Sequence, residues 1–238
     1  MDDGWHVHGR SMPHHYVWWF AIARPVALIT SLESGLLAAK KKTRQWLAGT
    51  ERRKQLLMYA VKVAAQRGLG RTGHTEIARL AGVAVSSVFL YFPNRHDLIT
   101  SIVAEVGRYY IELALRFHES APDPLEAVRQ HFYAFADSVI SEPDYAQVWL
   151  EWAVLIRNED RLWESFLEFQ EHVIRIIATS IRRCQKLGTL KKSVPATNAA
   201  RLLVASAYTT TQLKFMNRSR RVIHHYTEQA LNLALQRE

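Results

Sequence analysis

Between His74 and Phe92 the chain sets two very short helical runs back to back, "HTEIARLAG" and "VSSVFLYF", parted at Gly82 and closed by Pro93. Isolated helices shorter than about 12 residues are marginal in water. Each run must therefore be held by its neighbours. Ile77, Ala78 and Ala81 share one face of the first run, and Val88 and Phe92 share one face of the second, with Val83 in the turn. Ala78 and Ala81 are small, so the two helices can cross closely. Ser86, Ser87, Leu90 and Tyr91 are left on the other face and are expected to be presented outward. Two helices joined by a short glycine-containing turn match a helix-turn-helix, whose second helix enters the DNA major groove. A plain αα-hairpin is the alternative reading.

The rest of the regular chain reads as helix too, so the expected class is all-α. "TERRKQLLMYAVKVAAQRGLG" places Leu56, Leu57, Ala60, Val61, Ala64 and Ala65 at helical spacing and stops at Gly68 and Gly70. Thr75 is the expected cap of the next helix. Asn94 is the expected cap of the long helix after Pro93, with Asp97 three residues on, close to a capping box. Further helices are predicted over Pro124–Ile140, Tyr145–Ile156, Asp160–Leu187, Pro195–Asn217 and Arg220–Leu235. No segment alternates as a strand does, and no internal repeat is visible.

The net charge of +9 is concentrated. From Lys40 to Arg71 there are ten Lys or Arg against one acid, Glu51, so this stretch carries the whole excess. A basic block beside a helix-turn-helix suits a polyanion such as double-stranded DNA. Lys40, Lys41, Lys42 and Arg44 form its leading arm, for which a solubilising tail is the bland alternative.

Residues 1–39 lack a clean period and are expected to be a disordered extension arising from a start codon set too far upstream. A membrane-associated segment, which would make this a membrane-tethered helical protein, and a functional extension are the alternatives. The apolar stretch 16–37 is cut by Arg24 and Pro25, which makes it a poor membrane span. His6, His8, His14 and His15 have no second cluster at ligand spacing, so neither metal nor cofactor is expected. The lone Cys184 permits no intramolecular disulfide, in keeping with the cytoplasm, and is either an inert thiol or a redox sensor. The chain shows no nucleophile–base pair, phosphate loop or HExxH motif, so an enzyme is not expected.

"IARLAGVAVSSVFLYFPNRHDLI" resembles the signature of TetR-family transcription regulators, usually "IAxxAGVSxGxLYxYFxSKxxLL". The likeness extends to the LuxR/HapR/SmcR group of vibrio quorum-sensing regulators. It runs through "GRTGHTEIARLAGVAVSSVFLYFPNRHDLI" and "VWLEWAVLIRNEDRLWESF", and covers roughly residues 40–236. It implies a basic arm and helix-turn-helix domain over 40–93, then a regulatory and dimerisation domain over 94–238. It further implies a homodimer joined through the last two helices and a cavity for a small apolar ligand among the middle ones. Ser86 and Ser87 then open the recognition helix, and Tyr91 meets a phosphate. Arg95 sits at the DNA-facing start of the fourth helix, and Lys40, Lys41, Lys42 and Arg44 enter the minor groove. Thr75 and Leu90 complete the expected DNA-facing set.

Two departures stand out. Leu90 replaces the group's usual Asn, which could pair with adenine. Ala84 replaces the usual capping Ser, at a cost of up to ~1 kcal/mol. Phe132, Phe135, Trp149, Trp152 and Phe166 are expected to line the ligand pocket. Most of the aromatics, Trp163 and Phe169 included, are expected in the core. Glu151 reads either as a pocket acid or as an exposed helix edge. His224 and His225, adjacent on a helix, make a poor metal pair.

Overall fold

The computed structural model describes residues 49–119, 121–155 and 160–236. The chain divides into two compact units, residues 1–52 and 53–238. Of the first, residues 49–52 are described, and they are helical. The expectations for residues 1–39 and for Lys40, Lys41, Lys42 and Arg44 lie outside the described residues.

The second unit is helical throughout its described elements. Its first helix, α1 (residues 53–67), buries Leu56, Leu57, Ala60, Val61 and Ala64, the face read from the periodicity. It ends at Gly68, whose φ of +92° a side chain would strain. A single 3-10 turn, Leu69–Arg71, leads to α2 (His74–Ala81). Thr75 does not cap α2. Gly73 occupies the cap position, and Thr75 is the second helical residue, exposed. The helix starts two residues earlier than a cap at Thr75 would set it, with the His74 ring anchored on the following helix, as described below.

Helix α2 closes at Gly82 in the left-handed conformation (φ +66°), and the Val83 N–H donates to the Ala78 carbonyl at 3.0 Å. Helix α3 (Val85–Tyr91) follows, with Ala84 as a cap that offers no side-chain acceptor.

Helix α4 (Arg95–His118) has 24 residues, about 36 Å at 1.5 Å per residue. It carries the chain from the short helices into the body. Its start is reciprocally capped as expected. Asn94 Oδ1 accepts from the Asp97 N–H, and Asn94 Nδ2 donates to Asp97 Oδ2, both at 2.9 Å.

The body contains α5 (Pro124–Ser141), α6 (Pro143–Leu155), α7 (Asp160–Lys186), α8 (Ala196–Phe215) and α9 (Arg220–Ala234). These bounds agree with the sequence reading to within two residues at most ends. Asp123 Oδ1 caps α5 on the Leu125 and Glu126 N–H groups at 2.9 and 3.1 Å.

Two apolar cores result. One runs from α1–α3 along α4 to the aromatics of α6. The other lies among α5, α7, α8 and α9. Trp163, expected in the core, is 42% exposed instead. Cys184 is buried, and burial raises its thiol pKa, which disfavours the reactive thiolate and fits the inert reading. Among the described residues, no helix is long and apolar enough to cross a membrane, and no cluster of three or more His, Cys, Asp or Glu could hold a metal.

Candidate nucleic-acid interface and body cavity

Helix α3 has one face in the protein and one in solvent. Val88 and Phe92 are fully buried, in one core with Ile77, Ala78 and Leu98. Ser86 is exposed, and Ser87 and Tyr91 are half-buried. Leu90 is 75% exposed and Phe89 46%. Ser86, Phe89 and Leu90 stand at i, i+3 and i+4, which puts them side by side on one stripe.

Phe89 was not in the set read from the sequence. Its ring stacks on His74, centroids 3.9 Å apart and planes 5° from parallel. His74 Nε2 lies 2.7 Å from the Phe92 carbonyl oxygen. A carbonyl only accepts, so this nitrogen carries the proton. His74 thus fastens the start of α2 to the end of α3 and props Phe89 at the surface. The available signal was spacing: Phe89 falls three residues after Ser86, on the face already assigned outward.

Arg95 is exposed, and its Nη2 donates to the Gly70 carbonyl at 2.6 Å. It therefore ties the start of α4 to the 3-10 turn. Between residues 53 and 71, Arg53, Lys54, Lys62, Arg67 and Arg71 are all exposed, with no acid among them in sequence. Arg53 donates to Ser101 Oγ at 3.0 Å and sits over the Phe92 ring, 5.1 Å from its centroid. Arg67 reaches Glu76 at 3.5 Å.

Glu151 lines an open cleft of about 610 Å³ with Arg67, Arg71 and Gln147, not the aromatic cavity. From α6 its Oε2 accepts from the Leu69 backbone N–H at 2.6 Å, and its Oε1 from Gln147 Nε2 at 2.9 Å. A body helix thereby grips the turn that leads into α2. Sequence could not show this, because the partners are 82 residues apart.

In the body, Phe132, Phe135 and Trp149 line one cavity of about 40 Å³ with Tyr110, His131 and Gln170. Trp152 faces elsewhere. It lines an adjoining groove of about 280 Å³ beside Gly107, and its Nε1 donates to the Leu162 carbonyl at 3.3 Å. Phe166 lines neither space and packs edge-on against Trp152, centroids 5.2 Å apart. So three of the five expected pocket residues meet. Tyr110, His131 and Gln170 were missed, since each comes from a different helix and none marks itself locally.

His131 Nδ1 lies 3.1 Å from His118 Nε2, and His118 Nδ1 lies 2.7 Å from Ser180 Oγ. Burial lowers the pKa of His118 to about 4 and of His131 to about 3, each with a nearby positive group adding to the effect.

The outer side of α8 and α9 carries a groove among Leu202, Ser206, Thr209, Tyr226, Ala230 and Leu233. Leu202 is 57% exposed and Leu233 78%. His224 Nε2 lies 2.7 Å from Asp137 Oδ1, which Arg220 also reaches at 2.7 Å, and His225 is exposed.

A three-helix head with an outward-facing short helix, continued by a helical body, defines the fold of the helix-turn-helix regulators. Residues 56–102 match the family described as "Bacterial regulatory proteins, tetR family". A LuxR transcriptional regulator from Vibrio harveyi is 32% identical over 127 residues, 53% of this chain and 61% of that protein. An AcrR regulator from Shigella flexneri is 29% identical over 103 residues, 43% of this chain and 47% of its own length. The chain thus spans less than two thirds of either relative. Two solved structures share the fold. A TetR-family regulator from Rhodococcus superposes with a TM-score of 0.67 at 16% identity, over 78% of this chain and 99% of the other. FadR of Bacillus subtilis, solved with stearoyl-CoA, superposes with a TM-score of 0.64 at 20% identity, over 76% and 97%. Residues 56–102 are thus similar to the TetR family of bacterial regulatory proteins, and the described helices share the fold of these solved regulators.

Proposed function

We propose that the protein is a homodimeric, sequence-specific DNA-binding regulator of transcription whose affinity for its operator is set by a small molecule held in the body. The observation that carries this reading is α3. Its Val88 and Phe92 are sealed in the core while Ser86, Phe89 and Leu90 stand clear, as a helix meant for the major groove requires. Residues 40–93 form the DNA-binding domain and 94–238 the regulatory one. Thr75, Tyr91 and Arg95 flank the base-reading stripe, with Lys40, Lys41, Lys42 and Arg44 on the minor groove. Leu90 reads by packing, for instance on a thymine methyl.

Gating is supported by the cavity beside Trp149 and by Glu151, two residues further along α6, which holds the turn before α2. The stearoyl-CoA in the FadR neighbour is a precedent for ligand control on this fold. The exposed apolar groove of α8 and α9 supports dimerisation through those helices, closing a two-fold bundle. The likeness to the LuxR group extends the reading to quorum sensing, in the cytoplasm and without a membrane partner.

The test is binding to a random duplex pool followed by titration of the selected site over a salt series. A steep fall of affinity with salt is expected. Replacing Lys41, Lys42 and Arg44 by Ala should flatten the slope by about one unit per lost phosphate contact. No enrichment from the pool, or an unchanged slope, would overturn the DNA-binding reading or the role of the arm respectively.

A further inference from the structure

The body cavity contains two hydrogen-bond donors with nothing to donate to. Among the described residues, Tyr110 Oη and Trp149 Nε1 are the buried side-chain polar atoms without a partner. Both residues line the cavity, and they are only 5% and 3% exposed. Leaving a buried donor unpaired costs ~1–3 kcal/mol, and native proteins do so rarely. Nearby polar groups are satisfied: Trp152 on the Leu162 carbonyl, His118 on Ser180 and His131, and Gln170 Nε2 on the Tyr208 hydroxyl.

The other walls limit what could accept from these donors. Among the described residues, no Asp, Glu, Lys or Arg lines the cavity. His131 is kept neutral by burial, and the Tyr110 phenol is kept protonated by the same cause. A charged ligand would lose its hydration there with no opposite charge in return. Phe132, Phe135 and Phe169 supply ring surface, and Val173, Val204 and Ala207 the rest. At about 40 Å³ the space holds one or two waters and no more. Phe169, however, is a wall shared with the groove of about 280 Å³. It is only partly buried, and it rests against Gly107, where an added Cβ would come within 3.5 Å of the ring. Phe169 is therefore a side chain that stands between the two spaces.

We propose that this cavity takes a small neutral aromatic carbonyl compound, whose oxygen accepts from Tyr110 and Trp149 and whose ring displaces Phe169. This inference rests on the gating reading only for its consequence on DNA. The binding itself stands or falls alone.

The experiment uses the full chain with ¹⁵N-labelled tryptophan. The Trp149 indole signal is assigned by its absence in Trp149→Phe. The probes are acetophenone, isopropylbenzene (the same shape without an acceptor) and benzoate. Acetophenone should move the Trp149 N–H signal downfield in a saturable way and bind more tightly than isopropylbenzene. Tyr110→Phe should weaken acetophenone roughly two- to tenfold, the worth of one neutral hydrogen bond, and leave isopropylbenzene unchanged.

Equal binding of acetophenone and isopropylbenzene would overturn the role of the donors. Preference for benzoate would overturn the neutral class. No saturable shift with any probe, together with a water cross-peak at the Trp149 N–H, would make the cavity a hydration site and sink the proposal. Should Trp149→Phe fail to fold, Tyr110→Phe and the probe ranking decide the matter by calorimetry. Saturable acetophenone binding without any change in DNA affinity supports the ligand class and removes the gating reading.

Discussion

The head and the body cavity solve opposite problems. In the head, α2 and α3 are too short to be stable alone, and hydrogen bonds fasten them and their flanks: buried His74 holds the Phe92 carbonyl, and exposed Arg95 holds that of Gly70. What the head exposes is a stripe of side chains, Ser86, Phe89 and Leu90, on a firmly fixed support. In the body the helices are long, yet the space between them keeps two donors unpaired. A rigid presenting surface suits reading a repetitive polymer. A wall with unmet hydrogen bonds suits a partner that comes and goes. Glu151 joins the two regions through a single strong contact on the Leu69 N–H.

The largest effect is expected where the head's support is removed. Phe92 is fully buried under α3, and Phe92→Ala should cost ~3–5 kcal/mol. Urea unfolding checks this. A loss below about 1 kcal/mol would mean that the head does not depend on this anchor.

The body should respond instead to acid. His118 and His131 have folded pKa values below the ordinary 6.5, so the unfolded chain binds more protons between that value and about 4. Their neutral burial is therefore fully tolerated above pH 6.5 and increasingly opposed as pH falls towards 4. Stability should drop by on the order of 2–3 kcal/mol between pH 6.5 and about 5. His131→Leu should flatten that fall, and an identical profile in the variant would show that the pair is not its source.

A smaller effect is expected at the joint. Glu151→Ala should lower stability by ~1–2 kcal/mol, since a charge-assisted bond to a buried N–H is lost. It should also alter operator affinity, because the turn before α2 is no longer held. A change in stability with operator affinity untouched would leave the two regions uncoupled.

The smallest effect on stability is expected at Leu90, 75% exposed. Leu90→Asn should leave unfolding within about 0.5 kcal/mol while shifting the selected DNA site towards adenine, worth ~1–3 kcal/mol where the base matches. Identical consensus sequences from both proteins would show that position 90 does not meet base edges.

Local sequence determined the helices and the faces of the short ones. Ile77, Ala78, Val88 and Phe92 are inside, Ser86 and Leu90 outside, and Asn94 and Asp97 cap α4, because period and capping act over a few residues. The expected cap at Thr75 failed because His74 is held by Phe92, 18 residues away. The Phe89 ring likewise stacks on His74, 15 residues away. Whether Trp149 or Trp152 lines the cavity was not legible. Both sit on α6 with equal apolar character, and only the packing of α4, α5, α7 and α8 around that helix separates them. Tyr110, Gln170 and Glu151 likewise acquire their roles from partners far along the chain. Periodicity tells which side of a helix is buried. It carries no information on what that side is buried against, and that is what tertiary packing decided here.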